Sequence, residues 1–267
     1  MVSTREEQRP AGPPDGASED GALSSVRSLD RPFVVLEVLR ERRHPMRLTE
    51  VAAAAHLHLA TTQRILNLLV SYGYVNRDGL EYRLGLASLL NANVFLSTDR
   101  LVQIAEPVLQ ELTAVTGLSS SLTVRHGATA VLLRRVNSDP PLRFQLPIGE
   151  QLSLLVGGAR VLAAALAPDE LEVLLEGVDQ ISLASGVVLS RPDFIESLRL
   201  IRERGYAFGQ GQREAGALSI AVPVHTREGE VVAAIQLSSM IEDIPVDVES
   251  LVVELKRASS AMTRHLS

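Results

Sequence analysis

The chain of 267 residues is long enough for two ordinary domains and a short linker, and its 46% hydrophobic residues provide for at least one sizeable core. It has no cysteine, which excludes disulfides and zinc–thiolate sites, and it shows no signal peptide and no apolar run of membrane-spanning length, so we predict a cytoplasmic protein without a membrane partner. The net charge of −6 argues against nucleic-acid binding by the whole chain, so the distribution of charge is more informative than its sum.

Charge and composition change sharply near residue 24. Residues 1–23 are rich in Pro, Gly, Ala, Ser and Glu and contain almost no large apolar side chain, which predicts a disordered arm. Residues 24–83 contain nine arginines and six acidic residues and form the one basic segment of an acidic chain. Such a patch is the expected electrostatic footprint of a nucleic-acid-binding domain.

Three helices and a hairpin are predicted within this basic segment. Apolar residues at helical spacing predict a first helix over residues 29–43, and Thr49 is the predicted N-cap of a second, short helix. A third helix is predicted over residues 60–73, followed by a β-hairpin over residues 74–84 that turns at Asp78-Gly79. This order predicts a winged helix-turn-helix domain over residues 24–84, whose third helix enters the major groove.

The third predicted helix carries polar residues suited to reading DNA. Arginine pairs with guanine, glutamine and asparagine pair with adenine, and threonine contacts phosphate or a thymine methyl group. A solvated face is the usual alternative for an isolated helix, and Arg77 or Arg83 beside the wing turn could equally be surface residues. The predicted DNA-contacting residues are Arg27, Thr49, Thr61, Thr62, Gln63, Arg64, Asn67, Arg77, Tyr82 and Arg83.

The rest of the chain predicts a linker and an α+β domain. Residues 85–99 are weakly helical and form the predicted linker, and the domain is predicted over residues 100–267 with an antiparallel sheet. Helices are predicted over residues 100–116, 158–166, 169–175, 192–204 and 246–265. Strands are predicted over residues 119–127, 128–136, 142–149, 205–212, 217–225 and 230–240.

No group of residues in the sequence supports catalysis or metal binding. His56 and His58 have an H-x-H spacing without a local carboxylate, and the glycine-rich loop over residues 209–216 lacks the following helix of a phosphate site. We therefore predict no enzyme activity, no cofactor and no metal. The alternative is a small-molecule-binding or enzymatic α+β domain whose helical N-terminus is a dimerisation module.

Several stretches from about residue 25 onward form an ordered series: SVRSLDRPFVVLEVL, LTEVAAAAHL, ATTQRILNLLVSYGYV, YRLG, AEPVLQELTAVTG, VLLRRV, IGEQL, RERGYAFGQGQREAG and SIAVPV. In their order and spacing, these stretches resemble the IclR family of bacterial transcription regulators. The resemblance implies a winged helix and a C-terminal effector-binding domain with a GAF-like fold. It also implies a repressor or activator that binds double-stranded, pseudo-palindromic operator DNA as a homodimer or dimer of dimers, under the control of a small metabolite.

The resemblance also implies an effector pocket over the sheet. The acidic run that the family shows after Gly-Tyr reads Gly-Gln-Gly-Gln here, which removes repulsion toward an anion, and Arg160 or Arg134 could pair with a carboxylate. Apolar residues nearby favour an organic acid with a hydrophobic, aromatic or acyl body, although the leucines could instead be core residues. The predicted effector-binding residues are Arg134, Phe144, Leu146, Leu154, Leu155, Val156, Gly157, Gly158, Arg160, Gln210, Gln212, Ser219, Gln236 and Ser238.

Overall fold

The computed structural model describes residues 29–139, 145–243 and 247–266. Contacts divide the chain into two compact units, Met1–Val94 and Phe95–Ser267, and the division falls inside a helix that overlaps the predicted linker. The predicted disordered arm over residues 1–23 lies outside the described residues. In the part of the chain that is described, no helix is both long enough and apolar enough to cross a membrane.

The N-terminal unit contains three helices, a small antiparallel sheet and most of a fourth helix. Its elements are α1 (Arg31–Arg42), β1 (Met46–Arg47), α2 (Leu48–Ala54), α3 (Leu59–Ser71), β2 (Val75–Asp78), β3 (Glu81–Leu84) and α4 (Leu86–Thr98). The strand order is β1-β3-β2, so the short strand that follows α1 pairs with the outer edge of the hairpin. The predicted winged helix-turn-helix architecture is confirmed, with small differences at the ends of the elements.

The start of α2 differs from its prediction. Thr49 is not the N-cap, because α2 begins at Leu48 and the capping position is Arg47. The backbone N–H of Arg47 donates to Oε2 of Glu50 at 2.6 Å, so a carboxylate one turn later satisfies the donor that precedes the helix. Thr49 is left exposed on the first turn of α2.

One hydrophobic core joins α1, α2, α3 and the hairpin. Val35 of α1, Val51 of α2 and Leu66 of α3 are fully buried in it. The hairpin contributes Tyr82 of β3, whose side chain is only 2% exposed. Because α3 buries residues at helical spacing on one side, its opposite side is held toward solvent.

Two glycines shape the hairpin and fasten it to α3. Asp78 pairs with Glu81, so the turn is the two-residue loop Gly79-Leu80, and Gly79 adopts the positive φ of 58° that such loops require. The N–H of Gly85 donates to the carbonyl of Tyr74 at 2.7 Å. A Cβ at Gly85 would collide with the carbonyl of Gly73, so only glycine lets the end of the hairpin lie this close to the end of α3.

The C-terminal unit is built on a six-stranded antiparallel sheet with strand order β6-β5-β4-β11-β10-β9. A separate two-stranded hairpin consists of β7 and β8. The elements are α5 (Arg100–Thr116), β4 (Ser119–His126), β5 (Thr129–Val136), β6 (Gln151–Ser153), α6 (Arg160–Ala164), α7 (Pro168–Leu174), β7 (Gln180–Ser182), β8 (Val188–Ser190), α8 (Arg191–Arg204), β9 (Ala207–Gln210), β10 (Ala217–His225), β11 (Val231–Met240) and α9 (Val248–Thr263).

Helices cover both faces of the six-stranded sheet. Helices α5 and α9 pack on one face, around a core that includes Ile220 and Ile235. Helices α6, α7 and α8 belong to a second core on the opposite face, which includes Ala221 and Ala234. Neighbouring residues of one strand thus serve opposite cores, as the two-residue period of a strand requires. The predicted α+β fold with an antiparallel sheet is confirmed.

Two details of this unit depart from the predictions. No strand forms over residues 145–149, the described part of the strand predicted at 142–149, and the edge strand β6 follows it instead. Pro147 lacks a backbone donor and Gly149 has a φ of 85°, and both oppose regular pairing there. The hairpin of β7 and β8 was not predicted, because its strands are only three residues each.

A matched pair of leucines in α3 tests this packing. Leu66 is 0% exposed and Leu68 is 48% exposed, so Leu66→Ala should destabilise the N-terminal unit by about 2–5 kcal/mol, whereas Leu68→Ala should have little effect. Hydrogen–deuterium exchange of the full chain should show faster exchange in peptides from α1, α2 and α3 for Leu66→Ala alone. Equal exchange in the two variants would contradict the assigned core.

Candidate DNA-contacting surface and ligand cavity

The outer side of α3 presents a short row of polar side chains. Arg64 and Asn67 are exposed, one turn apart, and Gln63 and Thr61 are partly buried beside them. The Nε2 of Gln63 donates to Oδ1 of Asn67 at 2.9 Å and to the hydroxyl oxygen of Tyr82 at 3.1 Å. Amide and guanidinium groups of this kind suit hydrogen bonds to base edges.

Two predicted DNA-contacting residues face the core instead. Thr62 is fully buried and its hydroxyl donates to the carbonyl of His58 at 3.2 Å. It shares the helical spacing of Ile65 and Leu66 and so lies on the inner side of α3. Tyr82 is also buried, and its hydroxyl supports Gln63 rather than reaching outward. The structure therefore places both residues behind the exposed surface.

The two arginines of the hairpin lie on opposite faces of it. Arg77 pairs with Tyr82 and Arg83 pairs with Asn76, and adjacent cross-strand pairs alternate between faces. The Nε of Arg77 donates to the carbonyl of Gly79 at 2.9 Å and its guanidinium lies 5.7 Å from the ring centre of Tyr82. Arg83 is exposed. Arg27, also predicted to contact DNA, lies outside the described residues.

A cavity opens on the face of the six-stranded sheet that carries α6. Its floor is polar, because Gln236 of β11 and the cross-strand pair Ser219 and Ser238 line it. Its volume is about 50 Å³, so a ligand of more than a few heavy atoms requires side chains of the rim to move. The lining residues are Arg135, Leu146, Gly157, Gly158, Gly209, Gln212, Arg213, Glu214, Ala217, Leu218, Ser219, Gln236 and Ser238.

Two consecutive glycines let the loop before α6 lie directly on the sheet. A Cβ at Gly158 would collide with Oε1 of Gln236 and would lie 2.9 Å from the Cβ of Ala221. Gly157 adopts a φ of 68°, and its N–H donates to Oε1 of Gln212 at 2.7 Å. The carboxamide of Gln212 thus satisfies a backbone donor at the cavity wall.

Two arginines beside the cavity make hydrogen bonds to backbone carbonyls. Arg160 is almost fully buried, and its Nη2 donates to the carbonyl of Phe208 at 2.6 Å. Burial lowers the pKa of Arg160 to about 10, which leaves it protonated at neutral pH. Arg213 donates from Nη2 to the carbonyl of Val156 at 3.1 Å, and burial also lowers its pKa. The Glu150 carboxylate opposes this pKa shift at Arg213. The cavity lining itself carries two guanidinium groups, Arg135 and Arg213, and one carboxylate, Glu214.

Arg134 and Arg135 are separated by the sheet. Arg134 lies on the face covered by α5, where its Nη2 donates to Oε1 of Glu106 at 2.6 Å. This bond lowers the pKa of the Glu106 carboxyl below its usual value. Arg135 pairs with Ser121 on the opposite face and lines the cavity. The structure therefore brings Arg135, which was not predicted, to the position expected for Arg134.

The structure gathers part of the predicted effector set. Leu146, Gly157, Gly158, Gln212, Ser219, Gln236 and Ser238 line the cavity. Leu154 is fully buried in the second core, against which Leu155 and Val156 also pack, and Gln210 is exposed outside the lining. Phe144 lies outside the described residues. Arg213 and Glu214 were missed as individual residues, although they belong to a loop that the family resemblance had marked.

The described residues do not form a metal site. No cluster of three or more His, Asp or Glu side chains occurs within residues 29–139, 145–243 and 247–266. His56 and His58, which have a metal-like spacing in the sequence, are both exposed in the loop between α2 and α3.

Models of known protein families match both the N-terminal and the C-terminal parts of the chain. The family model described as "Bacterial transcriptional regulator IclR C-terminal" matches residues 94–264, and "IclR helix-turn-helix domain" matches residues 28–79. The HTH-type transcriptional regulator XynR of Escherichia coli K12 is 26% identical over 245 residues, which cover 90% of this chain and 97% of XynR.

Two solved structures show the same fold. The IclR transcriptional regulator from Alicyclobacillus acidocaldarius has a TM-score of 0.77 at 21% identity and covers 91% of this chain and 100% of its own. An IclR homologue from Microbacterium hydrocarbonoxydans, solved in complex with 4-hydroxybenzoate, has a TM-score of 0.74 at 22% identity and covers 90% of this chain and 99% of its own.

The close approach at Gly158 can be tested by adding one methyl group. Gly158→Ala should destabilise the C-terminal unit by about 1–3 kcal/mol, because the new Cβ overlaps Gln236 and crowds Ala221. The measurement is urea unfolding followed by circular dichroism. Gln236→Ala in the Gly158→Ala background should restore part of the loss, since the nearest colliding atom is then removed. A Gly158→Ala variant as stable as the parent would show that the loop does not lie on the sheet.

Proposed function

The chain belongs to the IclR family of bacterial transcriptional regulators, and on that premise we propose that it binds a pseudo-palindromic operator as a dimer and responds to a small organic acid. It is a DNA-binding transcription regulator with an IclR helix-turn-helix domain followed by an IclR C-terminal domain. The observation that carries the proposal is the exposed Arg64–Asn67 surface of α3 within the basic, winged domain.

Direct base contacts are proposed for the outer side of α3. Arg64 is the cation of this helix, and Asn67 is positioned by its bond with Gln63. A single cation on α3 cannot supply much electrostatic affinity, so backbone contacts by Arg77 and Arg83 of the wing and by the arginines near α1 are proposed to add to it. Thr61 and Thr49 are proposed to contact phosphate, since both retain exposed surface.

Dimer formation is proposed through the apolar surface of the N-terminal unit. Helix α4 has no buried residue, and four of its apolar side chains, Leu86, Leu89, Leu90 and Val94, are more than half exposed. A contiguous apolar helix of this kind indicates an interaction surface, and a second copy of the chain is the occupant that a two-fold operator requires. Two winged domains would then meet successive major grooves. A dimer of dimers is compatible with this arrangement.

Effector binding is proposed for the cavity over the sheet. A polar floor of serines and Gln236, together with the positive charge of Arg135 and Arg213, suits the acid group of a small molecule. Leu146 supplies an apolar wall for its body. The Microbacterium homologue complexed with 4-hydroxybenzoate supports an aromatic acid as the first candidate. Ligand binding is proposed to change operator affinity by favouring one arrangement of the domains. No enzyme activity is proposed.

Operator binding provides the main test of this function. Arg64→Ala should weaken binding by about 1–3 kcal/mol, because a base contact is lost, in a fluorescence-anisotropy titration with DNA from upstream of the gene. Thr62→Val should retain near-parental affinity, because Thr62 is buried and the substitution keeps its shape. The affinity of the parent should fall steeply with salt. Unchanged binding by Arg64→Ala, or no specific binding by the parent, would refute the assignment.

The dimer surface can be tested with two leucines. Leu89→Glu should convert the dimer to a monomer in size-exclusion chromatography with light scattering, because a charge is placed in the apolar surface of α4. Leu80→Glu is the control: Leu80 is similarly exposed at the tip of the wing, and its replacement should leave the molar mass unchanged. A dimeric Leu89→Glu protein would place the interface elsewhere.

A further inference from the structure

Arg135 owes its place in the cavity to a β-bulge. Near the start of β5, Ala130 belongs to the core on the cavity side of the sheet. Simple alternation from Ala130 would put Arg134 on the cavity side and Arg135 on the other side. The register changes, however: Leu132 pairs with Thr123, whereas Arg134 pairs with Leu122. The additional residue on β5 reverses the alternation, so Arg135 reaches the cavity.

The guanidinium of Arg135 has two donors without a partner in the described part of the chain. Its Nε and Nη2 are both buried, and neither has a hydrogen-bond partner within the described residues. These two nitrogens form one edge of the guanidinium, the edge that pairs side-on with both oxygens of a carboxylate. Arg160 and Arg134, in contrast, direct their donors to carbonyls and to Glu106. Unused charged donors in a buried position indicate a ligand-binding role.

The surroundings of Arg135 suit an anion. Ser121 pairs with Arg135 on the next strand, Gln236 pairs with Ser121 on the strand after it and lines the cavity, and Arg213 is a second guanidinium in the lining. Burial lowers the pKa of Arg135, and among the described residues no acidic side chain counteracts this shift. Glu214 also lines the cavity, but its side chain is exposed to solvent, which screens its charge.

We propose that Arg135 binds the acid group of the effector through a side-on pair of hydrogen bonds from Nε and Nη2, with Arg213 as the second cation. This assignment rests on the proposed organic-acid effector and names the residue that recognises it. It requires a planar carboxylate on the ligand, since the two oxygens must match the two donors. The corresponding primary amide, which offers one oxygen and no charge, should bind far more weakly.

The experiment observes Arg135 directly in the full-length protein labelled with ¹⁵N-arginine. The Nε–H signal of Arg135 is identified by its absence from the spectrum of Arg135→Lys. Benzoate, 4-hydroxybenzoate and acetate are titrated, with benzamide, 4-hydroxybenzamide and inorganic phosphate as comparisons. The acids should shift this signal saturably and the amides should not. The assignment is overturned if no acid moves the signal, or if phosphate moves it and no carboxylate does.

Substitution gives a second measure by calorimetry. Arg135→Lys keeps the charge but loses the paired donors, so the affinity for the bound acid should fall by about tenfold or more. Arg134→Lys is the matched control, because it makes the same change one residue away on the other face of the sheet, and it should alter the affinity by less than about twofold. The reverse pattern would assign the role to Arg134.

Operator DNA separates this assignment from the proposed function. If an acid binds at Arg135 but leaves operator affinity unchanged, the assignment of Arg135 stands and the proposed regulation by that acid fails. If an acid changes operator affinity equally in the parent and in Arg135→Lys, the regulation stands and the assignment of Arg135 fails.

Discussion

Alternation of side chains across the six-stranded sheet is the constraint on which the rest of the C-terminal unit depends. Strands β4, β5, β10 and β11 supply buried apolar residues from one face of the sheet to the core beneath α5 and α9. Residues on the other face are then free to be small or polar, and at one end of the sheet they are serine, glutamine and arginine. The polar cavity therefore lies on one face of the sheet, while the opposite face carries the core beneath α5 and α9.

Helix α3 likewise has one side that packs in the core and one side that faces solvent. Its inner side must bury Ile65, Leu66 and Leu69 to hold the winged domain together, and helical spacing adds Thr62 to that side. Only the remaining positions can meet DNA, which reduces the reading surface to Arg64, Asn67 and the exposed parts of their neighbours. Under the proposed function, specificity rests on few residues per copy, and the proposed pairing of two copies would add to operator selection.

Helical periodicity, turn residues and the order of family stretches were enough to predict the fold and most of the helices and strands, because these signals are local. The site was less predictable. Thr62 looked like a surface residue because its polarity outweighed its spacing, and Thr49 looked like a cap although Glu50 serves the helix start. Arg134 was chosen over Arg135 because a bulge, which has no clear sequence signal, reverses the faces of β5. The face that each of these arginines occupies is set by the pairing of β5 with β4, which the sequence alone does not reveal.

The loop of Gln212 and Arg213 at the cavity rim is hydrogen-bonded to the segment before α6. Gln212 accepts the N–H of Gly157, and Arg213 donates to Val156, so one loop fastens the segment before α6 from two adjacent residues. The backbone of the same loop accepts hydrogen bonds from Ala184 and Ser185 in the β7–β8 hairpin. An acid at the proposed site that competes for Arg213 or displaces the side chain of Gln212 would remove a hydrogen bond that holds the segment before α6. The loop that contacts the acid is thereby the same loop that positions this segment and meets the β7–β8 hairpin.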